Sequence, residues 1–69
     1  MINFDLEDHD YIELHSLLKV TGLTESGGIA KLLVADGLVR VDGEVELRKR
    51  CKIRPGQTVE LNDQQIVVR

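Results

Sequence analysis

Four turn signals punctuate the second half of this 69-residue chain, and they constrain its fold more than any other feature. Asp36-Gly37, Asp42-Gly43, Pro55-Gly56 and Asn62-Asp63 are all pairs suited to tight reversals. Glycine accepts positive φ, proline fixes φ through its ring, and Asn and Asp tolerate the left-handed region. From Leu38 onward the apolar residues recur with period two, so alternate side chains share one face of a strand. Asp42-Gly43 lies between two such segments, the strongest short-range hairpin signal. Further strands are expected around Thr58 to Leu61 and Gln65 to Val68.

The first half has a different rhythm. Ile2, Phe4 and Leu6 alternate with Asn3, Asp5 and Glu7, which predicts a half-buried strand. Leu14, Leu17 and Leu18 then fall at helical spacing, and Gly22 stands where a helix ends, so a helix is expected from about Glu13 to Thr21. Thr24 or Ser26 caps a second helix, with Ile29, Leu32 and Leu33 as its apolar stripe and Asp36-Gly37 as its stop. On that helix Lys31 points about 150° from the centre of the stripe, into solvent, with Gly27 one turn earlier on the same exposed face. The sum is a single α+β domain over residues 1–69: two helices packed on a small antiparallel sheet of about four to five strands.

Sixty-nine residues leave no room for a second core, and a chain this short buries about 60 % of its unfolded surface. With no tryptophan and only Phe4 and Tyr11 as aromatics, the core must be aliphatic. The same scarcity bears on function, since reading splayed single strands relies on aromatic platforms. A nucleic acid bound here is therefore expected to be held through backbone and shape. Cys51 has no partner for an internal disulfide, and the acidic start lacks the basic-then-apolar order of a signal peptide. A cytoplasmic location with no membrane span is the expectation.

The net charge of −3 conceals a polar distribution. Residues 1–13 carry Asp5, Glu7, Asp8, Asp10 and Glu13 with no lysine or arginine. Residues 48–54 carry Arg48, Lys49, Arg50, Lys52 and Arg54 with no acid. A molecule charged in this way presents a local positive field if the two segments fold apart. If the chain runs extended from Val45, then Val45, Leu47, Cys51 and Ile53 share one face and Arg48, Arg50, Lys52 and Arg54 the other. Cations two residues apart on a strand lie about 6.6 Å from each other, a spacing that can track a phosphate backbone. Lys49 breaks the alternation, so a bulge or turn is expected there. A solvated edge strand guarded by its charges gives the same pattern.

Catalysis has little to work with. Cys51 and Ser26 are the candidate nucleophiles, and His9 and His15 the candidate bases, but no nucleophile elbow, phosphate loop or metal-ligand spacing surrounds them. No enzyme activity, cofactor or metal is expected. Cys51, between Arg50 and Lys52, is either a thiol of lowered pKa or an inert core-facing one, and the second is preferred. His15 is expected to be a partly exposed surface residue. The Gly27-Gly28 pair after Ser26 is open to two readings: bare helix-start N–H groups that accept an anion, or a tight turn between helices.

The segments SGGIAKLLVADGLVRVDGEV and RKRCKIRPGQTVEL resemble the RNA-binding domain of ribosomal small-subunit protein S-four, the αL motif. Ser26, Ala30, Leu33, Gly37, Val39, Val41 and Gly43 fall at that family's spacing, and Pro55-Gly56 matches its closing turn. The similarity runs from about Tyr11 to Leu61 and is strongest to the family's small free-standing members. It implies a non-catalytic domain that grips structured RNA, with ribosomal RNA the first candidate. Ser26 and Lys31 would touch RNA from the second helix, and Arg40, the Arg48–Lys52 segment (Lys49 included) and Arg54 from the strands. Many members carry arginine directly after the serine. Gly27 stands there instead, which moves the expected weight of binding to the basic strand. Arg48, Arg50 and Lys52, extended by Lys31 and Arg40, would make about five phosphate contacts and a log–log salt slope near −3.5 to −4.5. The alternative is a protein-interaction module whose basic row docks on an acidic partner.

Overall fold

Each turn signal in the sequence closes a reversal of the chain. In the computed structural model, which describes residues 1–69, the elements run β1 (Ile2–Phe4), β2 (Ile12–Glu13), α1 (Leu14–Val20), α2 (Gly27–Ala35), β3 (Val39–Val41), β4 (Glu44–Val45), β5 (Lys52–Ile53), β6 (Thr58–Leu61) and β7 (Gln64–Val68). Asp42 and Gly43 both have positive φ, 51° and 86°, the pairing that lets a two-residue loop follow the twist of its strands. The Asp42 carboxylate also accepts from Thr58 N at 2.9 Å and from Gln57 Nε2 at 3.3 Å, tying the hairpin to β6. Gly37 ends α2 at φ 77°, and a Cβ there would meet Leu47 and Val45 at 3.8 Å.

Five strands form one sheet in the order β1-β7-β6-β3-β4, and β2 pairs with β5 in a separate two-stranded ladder. All neighbours in the large sheet are antiparallel except β1 and β7, which run parallel with Ile2 opposite Ile66 and Phe4 opposite Val68. The sheet is therefore mixed, not antiparallel throughout as the turns predict. Turns fix only the pairing of consecutive strands. The two terminal strands are joined by nearly the whole chain, and a connection that long permits parallel pairing.

The core is aliphatic, as the composition requires. Leu14, Leu17 and Leu18 of α1 and Ala30 and Val34 of α2 pack over Val39, Val59, Leu61, Ile66 and Val68 of the sheet, with Leu6 and Ile53 completing it. The α1 helix has its expected place, with Thr21 as C-cap and Gly22 beyond it at φ 80°. Ser26, not Thr24, caps α2: its Oγ accepts from Ile29 N at 3.2 Å, while Thr24 is buried and donates to the Ser26 carbonyl.

The second helix is rotated from its predicted orientation. Its buried positions are Ala30 and Val34, and the expected stripe residues Ile29 and Leu32 are exposed, Leu32 by 66 %. Lys31 is half-buried instead of pointing into solvent. Small side chains at the contact let α2 approach α1 closely, and sequence periodicity weighted toward large residues misplaces that face.

Candidate nucleic-acid interface

The basic segment is held in place by backbone atoms of the first helix. An α-helix begins with N–H groups that lack partners within the helix. Glu13, at the N-cap of α1, supplies no side-chain acceptor. Carbonyls of the basic segment do so instead: Leu14 N donates to Cys51 O at 2.9 Å, and His15 N donates to Lys49 O at 3.0 Å. Cys51 N donates to Arg48 O at 3.0 Å and closes the turn. The β2–β5 ladder carries the attachment onward, with Glu13 opposite Lys52 and Ile12 opposite Ile53. The segment is thus anchored at its main chain, which leaves its side chains free to project.

Lys49, Arg50, Lys52 and Arg54 are exposed. Arg50 and Lys52 line a shallow hollow of about 380 Å³ with Arg48 and Cys51. Arg48, Arg50, Lys52 and Arg54 are not arranged as one extended row, however. Lys49 and Arg50 occupy the turn, so the strand expected from Val45 to Arg54 is broken where the odd lysine disturbed its alternation. The apolar face breaks with it. Ile53 is fully buried and Cys51 half-buried, but Val45 and Leu47 are 50 % and 61 % exposed.

Arg48 differs from its neighbours in being paired. Its Nε donates to Glu46 Oε2 and its Nη2 to Glu46 Oε1, both at 3.0 Å, and its backbone N–H donates to the same Oε2 at 3.0 Å. A two-pronged bond of this kind is the geometry in which guanidinium and carboxylate match best. Hydrogen bonds from the Arg48 side chain and backbone lower the Glu46 pKa from 4.5 to about 2, against the smaller opposing effect of burial. Glu46 therefore stays ionised and cancels much of the Arg48 charge. On its far side Arg48 borders a second hollow, lined by Asp42, Glu44 and Glu46 among others, so it stands at the boundary between basic and acidic surface.

Cys51 packs against the core, as the preferred of the two alternatives has it. Burial first, and a hydrogen bond with Glu46 second, push its pKa above the usual thiol value, and Arg48 only partly opposes them. His15 is partly exposed, as expected, and pairs with Glu13, Nε2 to Oε1 at 3.1 Å, with its side chain 15 % exposed. It joins two parts of the surface. Its backbone meets the basic turn at Lys49, and its ring lies against the start of α2, where a Cβ on Gly27 would sit 3.8 Å from Nδ1. That is ordinary contact, so sterics do not demand glycine at this position.

The remaining predicted residues fall in two places. Ser26 and Lys31 lie on α2, half-buried, with the Ser26 hydroxyl oxygen engaged in its cap. Arg40 is set apart. It lies opposite Glu60 on the neighbouring strand and lines a different hollow with Glu60 and Asn62. Two contributors escaped the sequence reading. Glu46 was legible in principle, because it stands two residues before Arg48 in a segment of period two. Tyr11 was not: the β2–β5 pairing brings it beneath the basic residues, with Lys52 Nζ 4.9 Å and the Arg54 guanidinium 5.8 Å from its ring centre.

Two helices against a mixed sheet, with the turn between β4 and β5 docked on the start of the first helix, define an αL-type domain. The chain belongs to the S4 domain family, whose model matches residues 4–69. Among its relatives is YbcJ of Escherichia coli (strain K12), 56 % identical over 59 residues that cover 86 % of this chain and 84 % of YbcJ. YbcJ of Shigella flexneri matches with the same identity and coverage. The solution structure of E. coli YbcJ, which reveals an αL motif involved in RNA-binding, superposes with a TM-score of 0.76 at 50 % identity, covering 99 % of this chain and 86 % of that one. The 30S ribosomal protein S4e of Thermoplasma acidophilum shares the fold at 22 % identity and a TM-score of 0.61, over 86 % of this chain and 31 % of that protein. No helix is long and apolar enough to cross a membrane.

Proposed function

We propose that this protein is a non-catalytic, cytoplasmic RNA-binding module that grips structured RNA, ribosomal RNA first among the candidates, through Lys49, Arg50, Lys52 and Arg54. One observation carries the reading: four exposed cations, none in an ion pair with a carboxylate, follow one another along the Lys49–Arg50 turn, β5 and the residue after it, a segment whose backbone is fixed to the start of α1 and to β2. The S4-family membership and the RNA-binding motif of the YbcJ relative support the choice of ligand. Fixing the turn in advance reduces the ordering cost of binding, which otherwise consumes affinity. Arginine and lysine divide the work, Arg50 and Arg54 offering planar forks to phosphate oxygens and Lys49 and Lys52 compact charges. Ser26 and Lys31 would add contacts from α2, whose first residue, Gly27, lies against His15. Arg48, paired with Glu46, contributes less than its charge suggests, and Arg40 lines a different hollow from the basic turn.

Four phosphate contacts give a log–log salt slope of about −2.8 to −3.6, shallower than five would. The test is a salt titration with a folded RNA hairpin, on the native chain and on the triple variant Lys49→Glu, Arg50→Glu, Lys52→Glu. The native slope should fall in that range and the variant should lose measurable binding. A slope near zero on structured RNAs, or full affinity in the variant, would refute the reading. A second reading, docking on an acidic protein, gains support from the exposed Val45 and Leu47 beside the turn. It predicts pull-downs that survive nuclease treatment and fail in the same triple variant.

A further inference from the structure

The protein has two aromatic side chains besides its histidines, and both line the same cleft. Phe4, Leu6, Tyr11 and Ile12 form its apolar lining, Asp5 and Glu7 contribute carboxylates, and His9 adds an imidazole. Its volume of about 460 Å³ lies within the range of small-molecule sites, roughly 300–1,000 Å³. Glu7 takes up φ 58° and donates its N–H to Asp5 Oδ1 at 2.7 Å. That bond uses one Asp5 oxygen and leaves the other, with both oxygens of Glu7, as acceptors. Tyr11 belongs to two sites at once: it lines the cleft, and its ring lies beneath Lys52 and Arg54.

The ligand that fits must offer a flat π-face to the aromatics, N–H donors to the carboxylates and negative charge to the cations beside Tyr11. A nucleotide has all three. A cationic peptide side chain would satisfy the carboxylates but offer nothing to Lys52 and Arg54 beside Tyr11, and an aliphatic group would leave the carboxylates unanswered. Among the bases, guanine alone presents two adjacent donors, N1–H and the N2 amino group, the arrangement a carboxylate accepts as a pair. Adenine and cytosine place an acceptor beside their amino group, and uracil flanks its one donor with carbonyls.

We infer that this cleft receives one unpaired guanine base of the bound RNA, stacked against Phe4 and Tyr11 and read by Asp5 and Glu7, while its phosphate rests on Lys52 and Arg54. The inference rests on the RNA-binding reading above and adds base selectivity to it. The sparse aromatic content rules out a platform for a run of bases, but not a seat for one. Stacking by aromatic side chains is sequence-tolerant, so selectivity falls to the carboxylates.

The test compares RNA hairpins that are identical except for a single-nucleotide bulge, of G, A, C or U, or none. The native chain should bind the G-bulged hairpin roughly tenfold more tightly than the unbulged one, an effect within the range of a single base–aromatic stack. The ring-proton resonances of Phe4 and Tyr11 should shift with the G bulge, and also with guanosine monophosphate alone. Phe4→Leu should reduce the preference for the bulge while the unbulged hairpin keeps its affinity. Asp5→Asn with Glu7→Gln, at exposed positions that carry no core packing, should abolish the preference for G over A. Equal affinity for bulged and unbulged hairpins, with ring resonances unmoved, would overturn the inference. So would ring shifts caused by an arginine-rich peptide but not by guanosine monophosphate. Loss of salt-dependent binding to the unbulged hairpin would instead count against the RNA-binding reading, and the guanosine monophosphate titration would still judge the cleft.

Discussion

Glu46→Gln should make this protein bind RNA more tightly and with a steeper dependence on salt. The native carboxylate holds Arg48 by three hydrogen bonds of 3.0 Å, two to the guanidinium and one to the backbone N–H. Glutamine keeps the shape and an acceptor but removes the charge, while the α1 contacts at Cys51 and Lys49 continue to hold the turn. One more cation then becomes available to phosphate. Each phosphate contact contributes about −0.7 to −0.9 to the log–log slope, so the slope should steepen by that amount. If the two lines converge near 1 M salt, where counterion release no longer drives binding, the variant gains about 5- to 8-fold in affinity at 0.1 M. The assay is fluorescence anisotropy with a labelled hairpin at several salt concentrations. Asp63→Asn is the control, because it removes the same charge from an exposed turn between β6 and β7 that holds none of the proposed contacts. An unchanged slope would show that Arg48 already reaches phosphate with Glu46 attached. A flatter one would show that Glu46 orients the surface, and either result refutes the reasoning.

Acid should separate the same pair. The folded-state pKa of Glu46 is depressed from 4.5 to about 2, so its contribution to stability is present above the ordinary carboxylate value and is lost as pH falls toward 2. The stability difference between the native chain and Glu46→Gln, measured by urea unfolding, should be constant above about pH 5 and shrink between pH 4.5 and 2. In the core, Leu17→Ala should cost about 2–5 kcal/mol, because Leu17 is fully buried in a cluster with no large aromatic able to fill the space. For a domain of this size that is a large share of total stability, and thermal melting followed by circular dichroism should show it. A cost below about 1 kcal/mol would mean that α1 relaxes into the cavity.

The sequence alone carried the order of the elements, apart from the short β2, and the location of nearly every turn. Asp36-Gly37, Asp42-Gly43, Pro55-Gly56 and Asn62-Asp63 are local devices, and each works through the φ preferences of its own residues whatever the rest of the chain does. The α1 helix was legible for the same reason: Leu14, Leu17 and Leu18 state its buried face and Gly22 its end. Tertiary contact decided the rest. It turned Ala30 and Val34 of α2 inward in place of the larger Ile29 and Leu32, since helix approach favours small residues and periodicity does not weigh size. It joined β1 to β7 in parallel across nearly the full length of the chain, a pairing that no local signal encodes. The charges near residue 50 were visible as letters, but their state was not. Glu46 neutralises Arg48, the first helix anchors the turn, and Tyr11 is carried under Lys52 and Arg54 by a ladder between residues some forty positions apart. Composition fixes how many cations a chain has. Only the folded backbone determines which of them face a carboxylate and which face solvent, because Coulomb interactions depend on distance through space and not along the chain.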